Sequence, residues 1–202
     1  MNAMTNIRVK NPPQLIDSIK IPGLEGMIGI TSCPGMREEY IFDLYSESLI
    51  DDLQALRAWG ASVVVTLLEE SELHTLGVRD LGRNVVALNM IWLHLPVHNM
   101  GLPDERFDEK WRVIAPCLCN LLQEGKRIVI HCKEGLGRAG LVSVRLLIEL
   151  GLPVDEAIKI VRKARPGSLH LYSHEQYCHA IARGRMISAP PAAIHAVGKS
   201  LP

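Results

Sequence analysis

Apolar positions along this chain repeat in two alternating rhythms. Met27–Thr31 is a short apolar run. From Ser48 to Trp59, Leu49, Leu53 and Leu56 share one helical face, and Gly60 follows as a stop. Ala61–Leu68 is continuous and rich in valine, the pattern of a strand buried on both faces. Val85–Val97 is again apolar and contains a strand at Ile91–Leu95. Phe107 to Glu124 carries Phe107, Trp111, Ile114, Leu118 and Leu121 on one stripe, interrupted by Pro116 and ended by Gly125. Arg127–His131 reads as a short strand. Ala139–Leu150 is apolar nearly all round, which predicts a buried helix. Pro153–Arg165 and Ser173–Arg183 are two further helices. Pro153 lies near the first turn of the former, and Asp155 and Glu156 suit its dipole.

Strands separated by helices predict an α/β fold: a central, mostly parallel sheet flanked by helices. Sites in such sheets form at the carboxyl ends of strands. Residues 1–22, with Pro12, Pro13 and Pro22, read as an irregular lead-in. Residues 23–185 form one domain, and residues 186–202, with Pro190 and Pro191, read as a flexible tail. The 202 residues can bury roughly 70% of their extended surface, enough for a core without disulfides or metal.

Composition narrows the function. Lys and Arg number 22 against 22 Asp and Glu, so the chain is formally neutral and poorly suited to avid nucleic-acid binding. The neutrality is uneven: residues 126–165 carry 9 basic and 4 acidic side chains. Five cysteines, with no Cys-x-x-Cys pair, argue against a zinc ribbon or thioredoxin-like site. No basic, then apolar, leader opens the chain. The uncharged stretch Asn84–Pro103 contains two prolines, two histidines and three asparagines, so it does not read as a membrane span. The expected setting is a reducing cytoplasm.

One segment carries chemistry. Between the strand Arg127–His131 and the helix from Ala139 lies Cys132-Lys133-Glu134-Gly135-Leu136-Gly137-Arg138. Its glycines let backbone N–H groups turn toward one point, and the helix N-terminus adds partial positive charge there. Arg138 supplies a planar fork matching two oxygens of a tetrahedral oxyanion. Cys132 stands where those groups favour a thiolate, aligned as a nucleophile toward a bound phosphorus. The segment at residues 127–150 is thus a strand, phosphate loop and helix.

His-Cys-x5-Arg is the signature of protein tyrosine and dual-specificity phosphatases, and this loop resembles theirs. Residues 29–35, the helix ending at Trp59-Gly60, the strand Val63–Leu67 and the Glu72-Leu73 region resemble the kinase-associated phosphatase branch. The resemblance implies a protein tyrosine phosphatase-like fold and a phosphomonoester hydrolase that needs no cofactor or metal. Its substrate would be a phosphoprotein or another phosphomonoester. By the same resemblance Cys132 forms a phosphocysteine, while Arg138 and the amides of Lys133, Glu134, Gly135, Leu136 and Gly137 bind phosphate. His131 orders the loop and supports the thiolate.

Two departures from that family stand out. Its usual Ser or Thr after the arginine is Ala139 here, as in the slow phosphatases of regenerating liver, which implies slow turnover. The family's acid falls at Asn99, so Asp104 becomes the expected general acid, with His98, Glu105 and Asp108 as alternatives and an N-cap role competing for Asp104. A phosphoprotein-binding pseudo-phosphatase is the alternative reading. Sulfur or arsenic transfer fits less well. Gln176 matches the residue that places the hydrolytic water, but Ser173-His174-Glu175-Gln176 also reads as a capping box. Arg165 reads either as a substrate-phosphate contact or as a solvated helix-end charge. Cys117 and Cys119 read as packing residues. Cys33 or Cys178 remains a candidate disulfide partner for Cys132.

Overall fold

A computed structural model describes residues 16–36 and 45–188. Five strands, β1 (Asp17–Lys20), β2 (Met27–Thr31), β3 (Ala61–Thr66), β4 (Ile91–His94) and β5 (Arg127–His131), form one sheet in the order β1-β2-β5-β3-β4. β2, β5, β3 and β4 are parallel, and β1 pairs antiparallel with β2 at the edge.

Among the described residues seven helices accompany them: α1 (Tyr45–Trp59), α2 (Glu70–Thr75), α3 (Leu81–Ala87), α4 (Glu105–Gln123), α5 (Gly137–Glu149), α6 (Val154–Ala164) and α7 (Tyr172–Ser188). The central strands are apolar on both faces because both are covered. Ile28, Ile30, Val63, Val65, Ile128 and Ile130 face the layer containing α4 to α7. Val64 and Val129 face Leu53, Leu56 and Leu81 of α1 and α3. Each such side chain, fully buried, contributes roughly 1.5–3 kcal/mol. The mostly parallel sheet flanked by helices is the architecture that the hydrophobic rhythm implies.

Two expectations change. β1 lies inside the segment read as an irregular lead-in. Its alternation places only Ile19 in the core and is too short to register as a strand. The apolar run Val85–Val97 holds its expected strand as β4, preceded by the end of α3. α7 begins at Tyr172, so Ser173 lies within its first turn and does not cap it. Residues 1–15 of the lead-in and 189–202 of the tail lie outside the described residues. Among the described residues no helix is long and apolar enough to cross a membrane.

Candidate active site

The carboxyl ends of the four parallel strands bring the site together. β5 ends at His131, and the chain loops through Cys132 to Leu136 before α5 begins at Gly137. Gly135 takes φ +71°, and a Cβ there would lie 2.4 Å from the Thr31 carbonyl oxygen, so the loop passes the end of β2 only as glycine.

The loop carbonyls are drawn outward. The Lys133 carbonyl accepts from the Cys33 amide at 2.9 Å, and the Glu134 carbonyl accepts from Arg165 Nη2 at 2.7 Å. The Leu136 carbonyl accepts from the Leu169 amide at 3.4 Å. Peptide geometry then turns the amides the other way. The Gly135 N–H donates to Cys132 Sγ at 3.2 Å. The first turn of α5 adds amides that have no intrahelical acceptor. The result is a nest suited to an anion, with a thiol at its base.

Arg138 is buried in the first turn of α5. Its Nη1 and Nη2 donate to the two carboxylate oxygens of Glu72 at 2.6 and 2.8 Å, and Nη1 also donates to the Val97 carbonyl at 3.0 Å. A guanidinium has five N–H donors. These bonds use the end-on fork and the remaining Nη1 hydrogen. The side-on pair, Nε–H and the second Nη2 hydrogen, is left for two oxygens of an anion. Burial alone would raise the Glu72 pKa, but the hydrogen bond from Arg138, a bond from the Glu69 amide and the charges of Arg138 and Lys133 outweigh it. The carboxylate therefore sits below its ordinary value. Glu72 is the Arg138 partner that sequence reasoning did not single out, although its neighbourhood carried the family resemblance. Its position just beyond the carboxyl end of β3 was the available signal.

His131 is fully buried, and burial, the largest influence, pushes its pKa down to about 4. It is a neutral ring and gives Cys132 no positive charge. Its ring is part of a hydrogen-bonded chain. Trp92 Nε1 donates to Thr66 Oγ1 at 2.8 Å, and Thr66 Oγ1 lies 2.8 Å from His131 Nε2. With Nδ1 facing the Cys132 carbonyl at 3.4 Å, the tautomer that satisfies this chain carries its proton on Nδ1, and Thr66 donates to Nε2.

The cleft above Cys132 is lined by Asn99, Met100, Lys133, Glu134, Gly137, Arg138, His170, Leu171 and His174. The two histidines were not singled out from sequence. Asp104 is elsewhere: its Oδ1 accepts from the Phe107 amide at 2.9 Å as the N-cap of α4. Asp108 pairs with Arg145, and His98 Nδ1 pairs with Glu69 at 2.9 Å on an exposed surface. Gln176 is exposed on α7 and absent from the cleft lining. Ala139 is fully buried in the first turn of α5. All five cysteines are free. Cys33 is buried beside the loop. Burial first, then the charges of Cys132, Asp52 and Glu72, hold its thiol far above its ordinary pKa and therefore protonated. Among the described residues no group of three or more His, Cys, Asp or Glu side chains is arranged to hold a metal ion.

A sheet with this strand order, a cysteine-based anion nest and a buried arginine define a cysteine-dependent phosphatase architecture. The family model described as a polymorphic toxin system DSP-PTPase phosphatase matches residues 42–152, and the chain belongs to that dual-specificity phosphatase family. It is similar to cyclin-dependent kinase inhibitor 3 of Rattus norvegicus, 25% identical over 155 residues that cover 75% of this chain and 70% of that protein. It is also similar to the tyrosine-protein phosphatase CDC14 of Candida albicans, 33% identical over 86 residues. That match covers 42% of this chain but only 14% of the yeast protein. Among solved structures, a kinase associated phosphatase with its catalytic-site cysteine replaced by serine superposes with TM-score 0.75 at 21% identity, covering 90% of this chain and all of that one. The active form of Tk-PTP gives TM-score 0.58 at 24% identity, covering 84% of this chain and 97% of that one. At these identities the structural likeness concerns the fold.

Proposed function

We propose that this chain hydrolyses phosphomonoesters through a phosphocysteine on Cys132, slowly, with aryl phosphates preferred. The observation that carries the reading is the Gly135 N–H donating to Cys132 Sγ at the base of a cleft that Arg138 also lines. In the first step the thiolate attacks phosphorus, an S–P bond forms and the ester P–O bond breaks. The three equatorial oxygens gather on the loop amides and on the side-on fork of Arg138, whose charge is matched to theirs as it develops. In the second step water attacks phosphorus, the S–P bond breaks and the thiolate is regenerated.

Both steps lack the helper that the family resemblance leads one to expect. The position facing the leaving group holds Asn99, which has no acidic proton to give, and Asp104 is engaged as a cap. A phenolic oxygen, with a pKa near 10, leaves without protonation far more easily than an aliphatic alkoxide. The exposed Met100 and the neighbouring Leu171 give the cleft an apolar wall for an aromatic ring. A phosphotyrosine protein therefore suits the site better than a phosphoserine protein. Asp104→Asn keeps a good cap and removes the acid, so it leaves kcat/KM with phenyl phosphate unchanged. Asn99→Asp raises kcat/KM by about a hundredfold, the low end of the usual worth of a general acid, and leaves kcat, set by the second step, little changed. Values of kcat/KM with leaving groups of graded pKa check this pair. A large loss in Asp104→Asn would return the acid role to Asp104.

Ala139 supplies no hydroxyl to assist the departing thiolate, so the second step limits turnover. Rapid denaturation in alkaline detergent during turnover of an aryl phosphate traps a phosphate adduct on Cys132, and rapid mixing shows a burst of phenol. Ala139→Ser raises the steady-state rate by about tenfold, roughly 1.4 kcal/mol of barrier, and shrinks the trapped fraction. A linear onset with measurable turnover and no adduct argues against slow dephosphorylation. The alternative, a phosphoprotein-binding pseudo-phosphatase, draws on Asn99 and Ala139 together. It predicts phosphate binding without phenol release or adduct.

A further inference from the structure

The peptide between Glu134 and Gly135 faces two ways. Its N–H points at Cys132 Sγ at 3.2 Å, and its carbonyl accepts from Arg165 Nη2 at 2.7 Å. Arg165 follows the end of α6 and lies outside the loop. Its Nη1 is held by Asp17 Oδ2 of the edge strand β1 at 2.6 Å. Its Nε is buried without a partner, so this arginine accepts a cost to remain in place. Its side chain and that of Asp17 are 16% and 24% exposed, which sets the pair apart from a freely solvated surface contact.

Of the outward anchors on the loop carbonyls, those at Lys133 and Leu136 are backbone amides fixed by the fold. The anchor at Glu134 is the one made by a long charged side chain. It acts on the peptide that needs it most. Gly135, at φ +71°, lacks the Cβ that restricts rotation of its neighbouring peptides in other residues. Rotation of this peptide by half a turn would withdraw the donor from sulfur and aim a carbonyl oxygen at the incoming phosphate.

We propose that Arg165, braced by Asp17, is a positioning residue that locks the Glu134–Gly135 peptide with its N–H toward Cys132 and the bound anion. A charge-assisted bond to the carbonyl also polarises the same peptide and strengthens its N–H as a donor. Arg165 thereby acts on the nucleophile without touching substrate. This inference rests on the phosphate-ester reading of the cleft, which the experiment tests separately.

The experiment measures alkylation of Cys132 by iodoacetamide against pH, with and without inorganic phosphate, in the full chain. In the unsubstituted protein phosphate protects Cys132. In Arg165→Ala, the phosphate concentration for half-protection rises about tenfold, the worth of roughly one charge-assisted hydrogen bond, and the alkylation profile moves toward high pH. Arg165→Lys restores part of both, because an ammonium can still reach one carbonyl. Asp17→Asn gives a smaller change in the same direction and carries the test if Arg165→Ala does not fold. Folded variants whose protection and pH profile match the unsubstituted protein overturn the inference while leaving the functional reading intact. Absence of phosphate protection in the unsubstituted protein overturns both.

Discussion

Cys132→Ser removes turnover of an aryl phosphate by a factor of at least about 10⁴ while leaving phosphate affinity within a few-fold of the original. The reason is a separation of roles within one loop. Binding draws on the loop amides and the side-on fork of Arg138, none of which changes. The Gly135 N–H, which donates to Cys132 Sγ, finds an equally good acceptor in a serine oxygen. Attack on phosphorus requires an anionic nucleophile, and a serine hydroxyl stays protonated where a thiol ionises. Cys132 is almost completely buried, and serine is the smaller residue, so the fold should be little affected. The substituted protein should therefore hold a phosphotyrosine peptide without cleaving it. Phenol release by absorbance and peptide binding by calorimetry measure the two properties. Residual turnover at a tenth of the original rate would remove Cys132 from the mechanism.

Glu72→Ala should be costly to both stability and activity. Arg138 is 6% exposed, and Glu72 balances its charge with two hydrogen bonds. Removing one partner of a buried pair strands the other. The cost is about 3 kcal/mol here, at the low end of the usual range because the Glu72 side chain is itself 16% exposed. Activity should fall by about 10²-fold, since the end-on bonds aim the side-on fork at the phosphate site and a misplaced fork stabilises neither ground nor transition state. Glu72→Gln keeps one acceptor and should fall between. Denaturant unfolding and kcat/KM test the two effects. The pair also gives stability a direction with pH. The folded-state pKa of Glu72 lies below its ordinary 4.5, so the contribution is complete above that value and is lost as pH falls through the lower, folded-state pKa. An unchanged acid limb in Glu72→Gln would contradict this.

The Cys132–Arg138 loop was legible in the sequence because its parts are contiguous. A strand, two glycines, a cysteine and an arginine at fixed spacing define the nest without any long-range contact. The parallel sheet was legible for a similar reason, since strands buried on both faces must be apolar throughout. What surrounds the loop was not legible. Glu72 lies 66 positions from Arg138, and Asp17 lies 148 positions from Arg165, so no local pattern joins them. Arg165 read equally well as a substrate contact or a solvated charge, and its bonds to Asp17 and the Glu134 carbonyl are neither. β1, four residues long with one inward side chain, carries too little alternation to be seen.

Asp104 and Asn99 mark the division most clearly. Both lie on one loop with suitable chemistry or spacing, and sequence favoured the carboxylate. The start of α4 at Glu105 commits Asp104 to the Phe107 amide, while Asn99 faces the cleft. Gln176 is similar: the capping pattern and the water-placing role both competed for it, and the start of α7 at Tyr172 leaves it exposed. By itself the sequence determined the layer order of the core and the anion-binding loop, because periodic burial and glycine-dependent turns act between near neighbours. Only the tertiary structure placed Glu72 against Arg138, Arg165 against the Glu134 carbonyl and Asn99 on the cleft wall. Those are questions of where separate strand ends converge, and distance along the chain does not encode them.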